Sequence, residues 1–347
     1  MKKVLAFTLG VNHPSSRMRI AAYQDHLWQY GWDLQLHPFD SGMGKTQPRE
    51  DSSWSRMVRR GRRGLKTLSA IKALRQLRPE EPIIVSRELP VSAGPFLTAP
   101  NPLLLDVDDA LYLESGRERL LELCRRAEVV VCGNDIIAEN LAGFSRRCVV
   151  IPTGVKVDRY QPRTDYRQEG VVRIGWLGSS MSIEQTLFPF LEVLEKIRAG
   201  LAFELVVISN ELPESIKKYE WIRFLKWSPE VEASIAGQMD IGIMPLQDNP
   251  YQAAKCGAKL AQYMAAGLPV IATPIGVNRE LVVNGRTGYW AARPEEWVRA
   301  IRELAGQQTL RESFGRAGRE RAETHYSIAH LAKKWASLLN ESTRQPV

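Results

Sequence analysis

Eleven short apolar runs constrain this chain more than any other feature. They fall at 4–9, 34–37, 82–86, 102–107, 129–133 and 148–151, then at 172–177, 203–208, 222–224, 239–244 and 268–272. Most are nearly continuous rather than alternating, as strands buried on both faces of a parallel sheet are. Helical patterns lie between many of them, at 16–30, 54–78, 118–126, 180–198 and 258–266, and three more follow at 295–305, 310–323 and 328–339. Strand and helix in alternation predict an α/β fold with helix-covered parallel sheets. The polar, proline-bearing stretch 161–170 divides the series into two halves of similar size. The expected architecture is two Rossmann-like α/β domains facing across a cleft, with the first spanning 1–165.

The 347 residues suffice for two such cores, and 44% hydrophobic with 25% charged residues is ordinary globular composition. No apolar run approaches the roughly 18 residues a transmembrane helix needs. The apolar start Val4–Leu9 is too short for a signal peptide and leads into a polar loop, so it reads as the first strand. Cys124, Cys132, Cys148 and Cys256 have no metal-ligand spacing and read as reduced thiols in the cytoplasm. No G-x-G-x-x-G follows the first strand, so no dinucleotide cofactor is indicated.

The net charge of +8 is unevenly spread. Arg56 to Arg78 carries nine Lys or Arg and no acid, with Leu65, Leu68, Ile71 and Leu74 at helical spacing. Such a helix either lies on an anionic membrane surface, which makes the protein peripheral on the inner face, or turns its apolar stripe to the core. Nothing nearby resembles a nucleic-acid module, so no nucleic acid is expected as partner.

Several residues stand where open α/β sheets bind ligands, beyond the C-terminal ends of strands. His13, Ser15, Ser16, Arg17 and Arg19 follow the first strand. Asp106-Val-Asp108-Asp109 closes another, and its carboxylates are expected to face a site rather than the core. This D-x-D reads as a metal clamp on a diphosphate, a phosphatase-type nucleophile, or a simple helix cap. Gly178, Ser179 and Ser180 form a strand-to-helix turn whose amides suit a phosphate. Lys255 and Lys259, four apart at the start of a helix near 258–266, would put two ammonium groups on one face.

The run K-x3-K-x2-Q-Y-M-A-A-G-L-P-V-I-A at 255–272 resembles the donor segment of GT-B glycosyltransferases of family GT4. I-G-W-L-G-S-S at 174–180, D-V-D-D-A-L-Y at 106–112 and S-S-R-M-R-I at 15–20 are similar to motifs of one branch of that family. The family's frequent Glu-x7-Glu pair is missing: Ala254 and Gln262 stand in its place. The resemblance implies that Gln262 holds the ribose hydroxyls in place of a Glu, without charge assistance. It implies donor contacts from Glu280, in a glycine-to-glutamate loop opened by Gly276. It also places Asp108 and Asp109 near the transferred sugar. Where many members carry Arg and Lys in the 178–180 loop, this chain has serines, so Lys255 and Lys259 would supply the positive charge. The implied layout is a donor domain over 166–326 and a C-terminal helix, 327–347, crossing back to the first domain.

The resulting expectation is a hexosyltransferase moving sugar from a nucleotide-diphosphate sugar, its co-substrate, to a glycan, lipid-linked or other envelope acceptor. No metal or cofactor is called for, and retention is implied by the family. A non-catalytic sugar-nucleotide or membrane-binding protein, and a sugar-nucleotide epimerase, are the alternatives on the same scaffold.

Overall fold

The structure, a computed structural model, describes residues 1–40, 53–87, 89–168 and 170–343, without the side chains of Asp40 and of 53–60. The loop expected at 41–55 lies outside the described residues as far as 52. The same holds for the side chains of Arg56, Arg59 and Arg60.

The chain divides into two units, Met1–Thr153 joined by the segment from Leu331, and Gly154–His330. The first holds β1 (Lys2–Gly10), β2 (Trp32–Asp40), β3 (Ile83–Ser86), β4 (Leu103–Val107), β5 (Val129–Cys132) and β6 (Cys148–Val150). These pair in parallel in the order β2-β1-β3-β4-β5-β6. The second holds β7 (Val172–Leu177), β8 (Phe203–Ser209), β9 (Ile222–Lys226), β10 (Ile241–Met244), β11 (Val270–Ala272) and β12 (Gly288–Trp290). Their order is β12-β11-β10-β7-β8-β9, again parallel throughout.

Each order reverses direction once, between β1 and β3 in the first unit and between β7 and β10 in the second. Such switch points open a crevice at the carboxyl ends of the strands, where ligands bind.

All eleven expected strands form. β2 is longer than its apolar run because it lies at the sheet edge, where Pro38 opposite Thr8 costs no ladder bond on the open side. β12 was not legible: three residues, Gly-Tyr-Trp, carry too little pattern.

The division falls after Thr153 rather than near 165. Residues 160–166 are a belt on the second unit instead of a free linker. Tyr166 is buried and donates to Gly267 O at 2.8 Å, and Arg163 pairs with Asp240 at 2.7 Å. The last helix, Ile328–Ser342, starts on Ser327, whose Oγ accepts from His330 N. From Leu331 it belongs to the first unit, where Trp335 lies 6.0 Å from Tyr23.

Two expected helices are irregular. Residues 16–30 begin with a π-helical turn at Ser16–Ile20 and tighten before Gln24–Gln29. Residues 180–198 pass through a similar turn and then Pro189 before Leu191–Arg198. Both follow the first strand of their unit, and π-turns recur at such functional positions. The basic segment forms one helix, Ser53–Leu74, but Leu65 and Leu68 are 70% and 62% exposed. The stripe containing them therefore does not face the core; Ala70 does.

Candidate functional site

In the first unit, the turn after β1 and the ends of β3 and β4 come together. Arg87, just past β3, adopts a left-handed backbone at φ 62°, a costly conformation for a residue with a Cβ. That backbone aims its guanidinium at three groups: Ser15 Oγ at 2.9 Å, Asp108 Oδ1 at 3.4 Å and Asp109 Oδ2 at 3.6 Å. Burial works to raise the Asp108 pKa, but Arg87, then Arg19 and a hydrogen bond with Ser15, outweigh it and hold the carboxyl below its usual range. The His13 pKa is lowered as well. Burial first and Arg87 second lower it, against the pull of Asp108 and Asp109. At neutral pH the cluster is thus a guanidinium, an ionised Asp108 and a neutral imidazole.

Not every expected residue reaches this cluster. Arg19 is 1% exposed and committed to Asp106, with Nη2 to Oδ1 at 2.6 Å and Nη1 donating to Ile151 O at 2.6 Å. It braces the core and contacts no acceptor surface. Asp106 is likewise fully buried, not site-facing as expected, and burial raises it to about 6 against the pull of Arg19. Only one carboxylate of the D-x-D pair therefore faces the crevice, which removes its reading as a metal clamp. Among the described residues no three His, Cys, Asp or Glu lie together in a metal-holding group. Ser16 is buried, its Oγ accepting from Gly10 N at 3.4 Å, so the hydroxyl at the cluster is Ser15. Arg17 is half-buried on the same turn.

In the second unit the switch point lies between β7 and β10. Gly178 opens the turn after β7, and a Cβ there would sit 2.4 Å from the Trp176 ring. The same indole carries Lys259, whose Nζ lies 5.0 Å from the ring centroid. One buried tryptophan thus brings the β7 turn and the lysine to a common place. Tyr263 fixes the lysine's helix, Ala258–Ala265, by accepting from Leu177 N at 2.8 Å.

Ser179 caps the following turn through Ser182 N, and the Ser180 amide donates to Asn210 Oδ1 at 2.9 Å. The Ser180 amide is therefore occupied within the protein, contrary to its expected role as a phosphate donor.

Lys255 does not share a helical face with Lys259. The helix begins only at Ala258, after Gly257 in a left-handed conformation, and Lys255 lies in the preceding loop with Nζ 4.4 Å from the Tyr251 ring centroid. Gln262 is 4% exposed and donates to Tyr160 OH at 3.0 Å; Tyr160 donates to Glu232 at 2.9 Å. It is part of a buried polar chain, so the ribose contact expected of it has no surface to act from. Glu280 is exposed on the short turn Asn278–Leu281. That loop touches the lysine loop closely: a Cβ on Gly276, at φ 49°, would meet Ala253 O at 1.9 Å.

Residues 172–307 match the family described as Glycosyl transferases group 1. The match lies wholly within the second unit. The whole chain is similar in fold to sucrose-phosphate synthase from Thermosynechococcus elongatus, at 12% identity over 98% of this chain and 99% of that one, TM-score 0.72. A glycosyltransferase from Rickettsia africae gives 14% identity, 99% and 100% coverage and TM-score 0.69. HepE from Anabaena, solved in complex with UDP-glucose, gives 14%, 98% and 100%, and 0.69. These likenesses establish the fold, two α/β units of the GT-B class. Among curated proteins, D-inositol 3-phosphate glycosyltransferase of Corynebacterium urealyticum is 23% identical over 68% of this chain and 63% of its own length. The match thus spans less than two thirds of that relative. Gly178, Lys255, Lys259 and Glu280 all lie inside the matched residues; the Arg87 cluster lies outside them.

Sequence reading missed Arg87 and Trp176. Arg87 had a usable signal, a charged residue at the end of a buried strand. Trp176 had none, since an apolar aromatic inside a strand reads as core.

Proposed function

We propose that this protein transfers a hexosyl group from a nucleotide-diphosphate sugar, bound by the second unit, to an acceptor bound by the first. The observation that carries the reading is the shared indole of Trp176, which holds Lys259 beside the turn at Gly178 on the switch point of the unit that matches the group 1 glycosyl transferases. A diphosphate there meets a fixed ammonium, with Lys255 supplying a second from the adjoining loop. Positive charge set in advance at the leaving group lowers the barrier to its departure without reorganisation. In this reading the lysines take the part a divalent cation plays elsewhere, transfer needs no metal, and configuration is retained. Structures such as that of HepE with UDP-glucose support a nucleotide sugar as donor.

Asp108, kept ionised by Arg87, orients the acceptor hydroxyl or the sugar, and Asp109 and neutral His13 complete the polar wall. The acceptor is an envelope glycan or lipid-linked molecule, and the protein works at the inner face of a membrane. The exposed Leu65 and Leu68 on a helix rich in Lys and Arg support that placement.

Thermal shift with a panel of nucleoside diphosphates and nucleotide sugars, with and without EDTA, tests the reading. An EDTA-insensitive rise with one nucleotide, lost in Lys259→Ala, is expected. A shift that requires metal would overturn the metal-free reading. Turnover of donor without any acceptor to an isomeric sugar would identify an epimerase instead.

A further inference from the structure

The loop that carries Lys255 is fixed at both ends. It opens with a short helix, Pro250–Ala253, capped by Asn249, whose Oδ1 accepts from Gln252 N at 2.9 Å. Gln252 is buried. Its Oε1 accepts from Gln247 N at 2.7 Å, and its Nε2 donates at 3.3 Å to Gln185 O, in the π-helical turn Ile183–Leu187 after β7. The far end is Gly257 at φ 65°, where a Cβ would sit 2.0 Å from Leu281 Cδ1. With Gly276 closed against Ala253 O as well, the backbone from Gln252 to Gly257 is packed in place.

A lysine side chain is harder to fix than its backbone, because its ammonium rides on a long flexible stem. Here the chain turns back on itself. Lys255 N donates to Gln252 O at 3.2 Å, and the ammonium lies 4.4 Å from the ring centroid of Tyr251. The arrangement repeats on the other side of Gly257, where Lys259 Nζ lies 5.0 Å from the Trp176 ring. Tyr251 and both lysines are half-buried. A ring face attracts a cation through its quadrupole but bears no net charge, so the contact localises an ammonium without neutralising it. Each of the two lysines thus has an aromatic face of its own.

We infer that Tyr251 is a positioning residue, whose ring holds the Lys255 ammonium where the donor diphosphate binds, before the donor arrives. The inference rests on the donor site proposed above and adds to it a residue that acts through Lys255. Ordering that side chain in advance removes part of the entropy that binding would otherwise cost, so the ring raises the affinity for a diphosphate. The π face carries the effect and the hydroxyl does not.

The test is calorimetric titration of the full-length protein with UDP, GDP, ADP and TDP. One of them is expected to bind at a site that Lys259→Ala weakens. Tyr251→Leu keeps apolar volume and removes the ring; it should weaken that nucleotide about threefold to tenfold, while Tyr251→Phe stays within about twofold of the unmodified protein. In a Lys255→Ala background Tyr251→Leu should add nothing, since the ring then has no ammonium to hold. Mono-, di- and trifluorophenylalanine at position 251 keep the shape of the ring while draining its face of electron density. Affinity should fall stepwise along that series, which decides the matter if Tyr251→Leu fails to fold. Equal loss from Tyr251→Leu with and without Lys255 overturns the inference, because the ring then serves the loop or the nucleotide directly. A flat fluorinated series beside a nucleotide site that still depends on Lys259 overturns the role of Tyr251 alone and leaves the donor site standing. No binding of any of the nucleotides to the unmodified protein overturns the donor site and the inference with it.

Discussion

Arg87 Nη1 stands 3.4 Å from Asp108 Oδ1, and the contact is made from a left-handed backbone at φ 62°. A non-glycine residue pays roughly 1–2 kcal/mol for that conformation. Arg87→Gly removes both the strain and the guanidinium, so the two effects on stability oppose each other, and a net change within about 1 kcal/mol is expected in chemical denaturation. Transfer should nonetheless fall about a hundredfold, because Asp108 loses the group that positions it. A variant with reduced stability and intact transfer would show that Arg87 serves the fold alone.

The same pair sets an acid limit. Asp108 is held below its usual pKa, so its ionisation contributes stability that is present above the unfolded carboxylate value and lost as pH falls through the folded one. Arg87→Met leaves burial as the dominant influence, which raises the carboxyl. The acid limb of the rate profile should move to higher pH, and the loss of stability on acidification should begin earlier. An unmoved acid limb would exclude Asp108 as the group whose ionisation the reaction needs.

At the donor side, Gly178→Ala drives a methyl into the Trp176 ring and should destabilise the second unit by about 1–3 kcal/mol. Displacing that indole also displaces Lys259, so donor affinity should fall with stability. Lys259→Ala should separate the two: only about 0.5–1 kcal/mol of cation–π contact is lost from the fold, while donor affinity falls about tenfold or more. Denaturant midpoints and donor titrations on both variants read these outcomes.

Gln262→Glu would restore the family's carboxylate and is expected to fail as a repair. The side chain is buried against Tyr160, whose hydroxyl already serves Glu232. A second carboxylate in that chain should cost about 1–3 kcal/mol at neutral pH with no gain in donor affinity. Burial raises such a carboxyl, so the cost is absent while it is protonated and grows as pH rises above the ordinary glutamate range. A tighter donor complex would restore the ribose role to position 262.

Much of the fold was legible because buried parallel strands need continuous apolar runs, and such runs leave a mark no tertiary contact can erase. The caps at Asn134, Ser228 and Ser327 have an equally local origin, a short polar side chain just before a helix. β12 escaped because three residues in a late strand rely on neighbours already in place. The site was harder. Asp108 and Asp109 could be named from position, but Asp106, two residues earlier, could not be separated from them. Alternation puts residues two apart on one face, and only the fold shows that the strand ends at Val107, with Asp106 inside it against Arg19 and Asp108 beyond it.

The sequence by itself determined the two parallel-sheet units, the turns that end their strands and the uneven positive charge, because each depends on residues close along the chain. Tertiary structure alone decided which charges are available for chemistry. Arg19 is spent on Asp106 inside the core, Gln262 on Tyr160, and the Ser180 amide on Asn210. Arg87 is brought to Asp108, and Lys259 to Trp176, by elements far apart in sequence. The physical reason is that a charged or polar group acts according to its solvent and its partners. Both are set by where distant strands place it, not by the residues beside it in the chain.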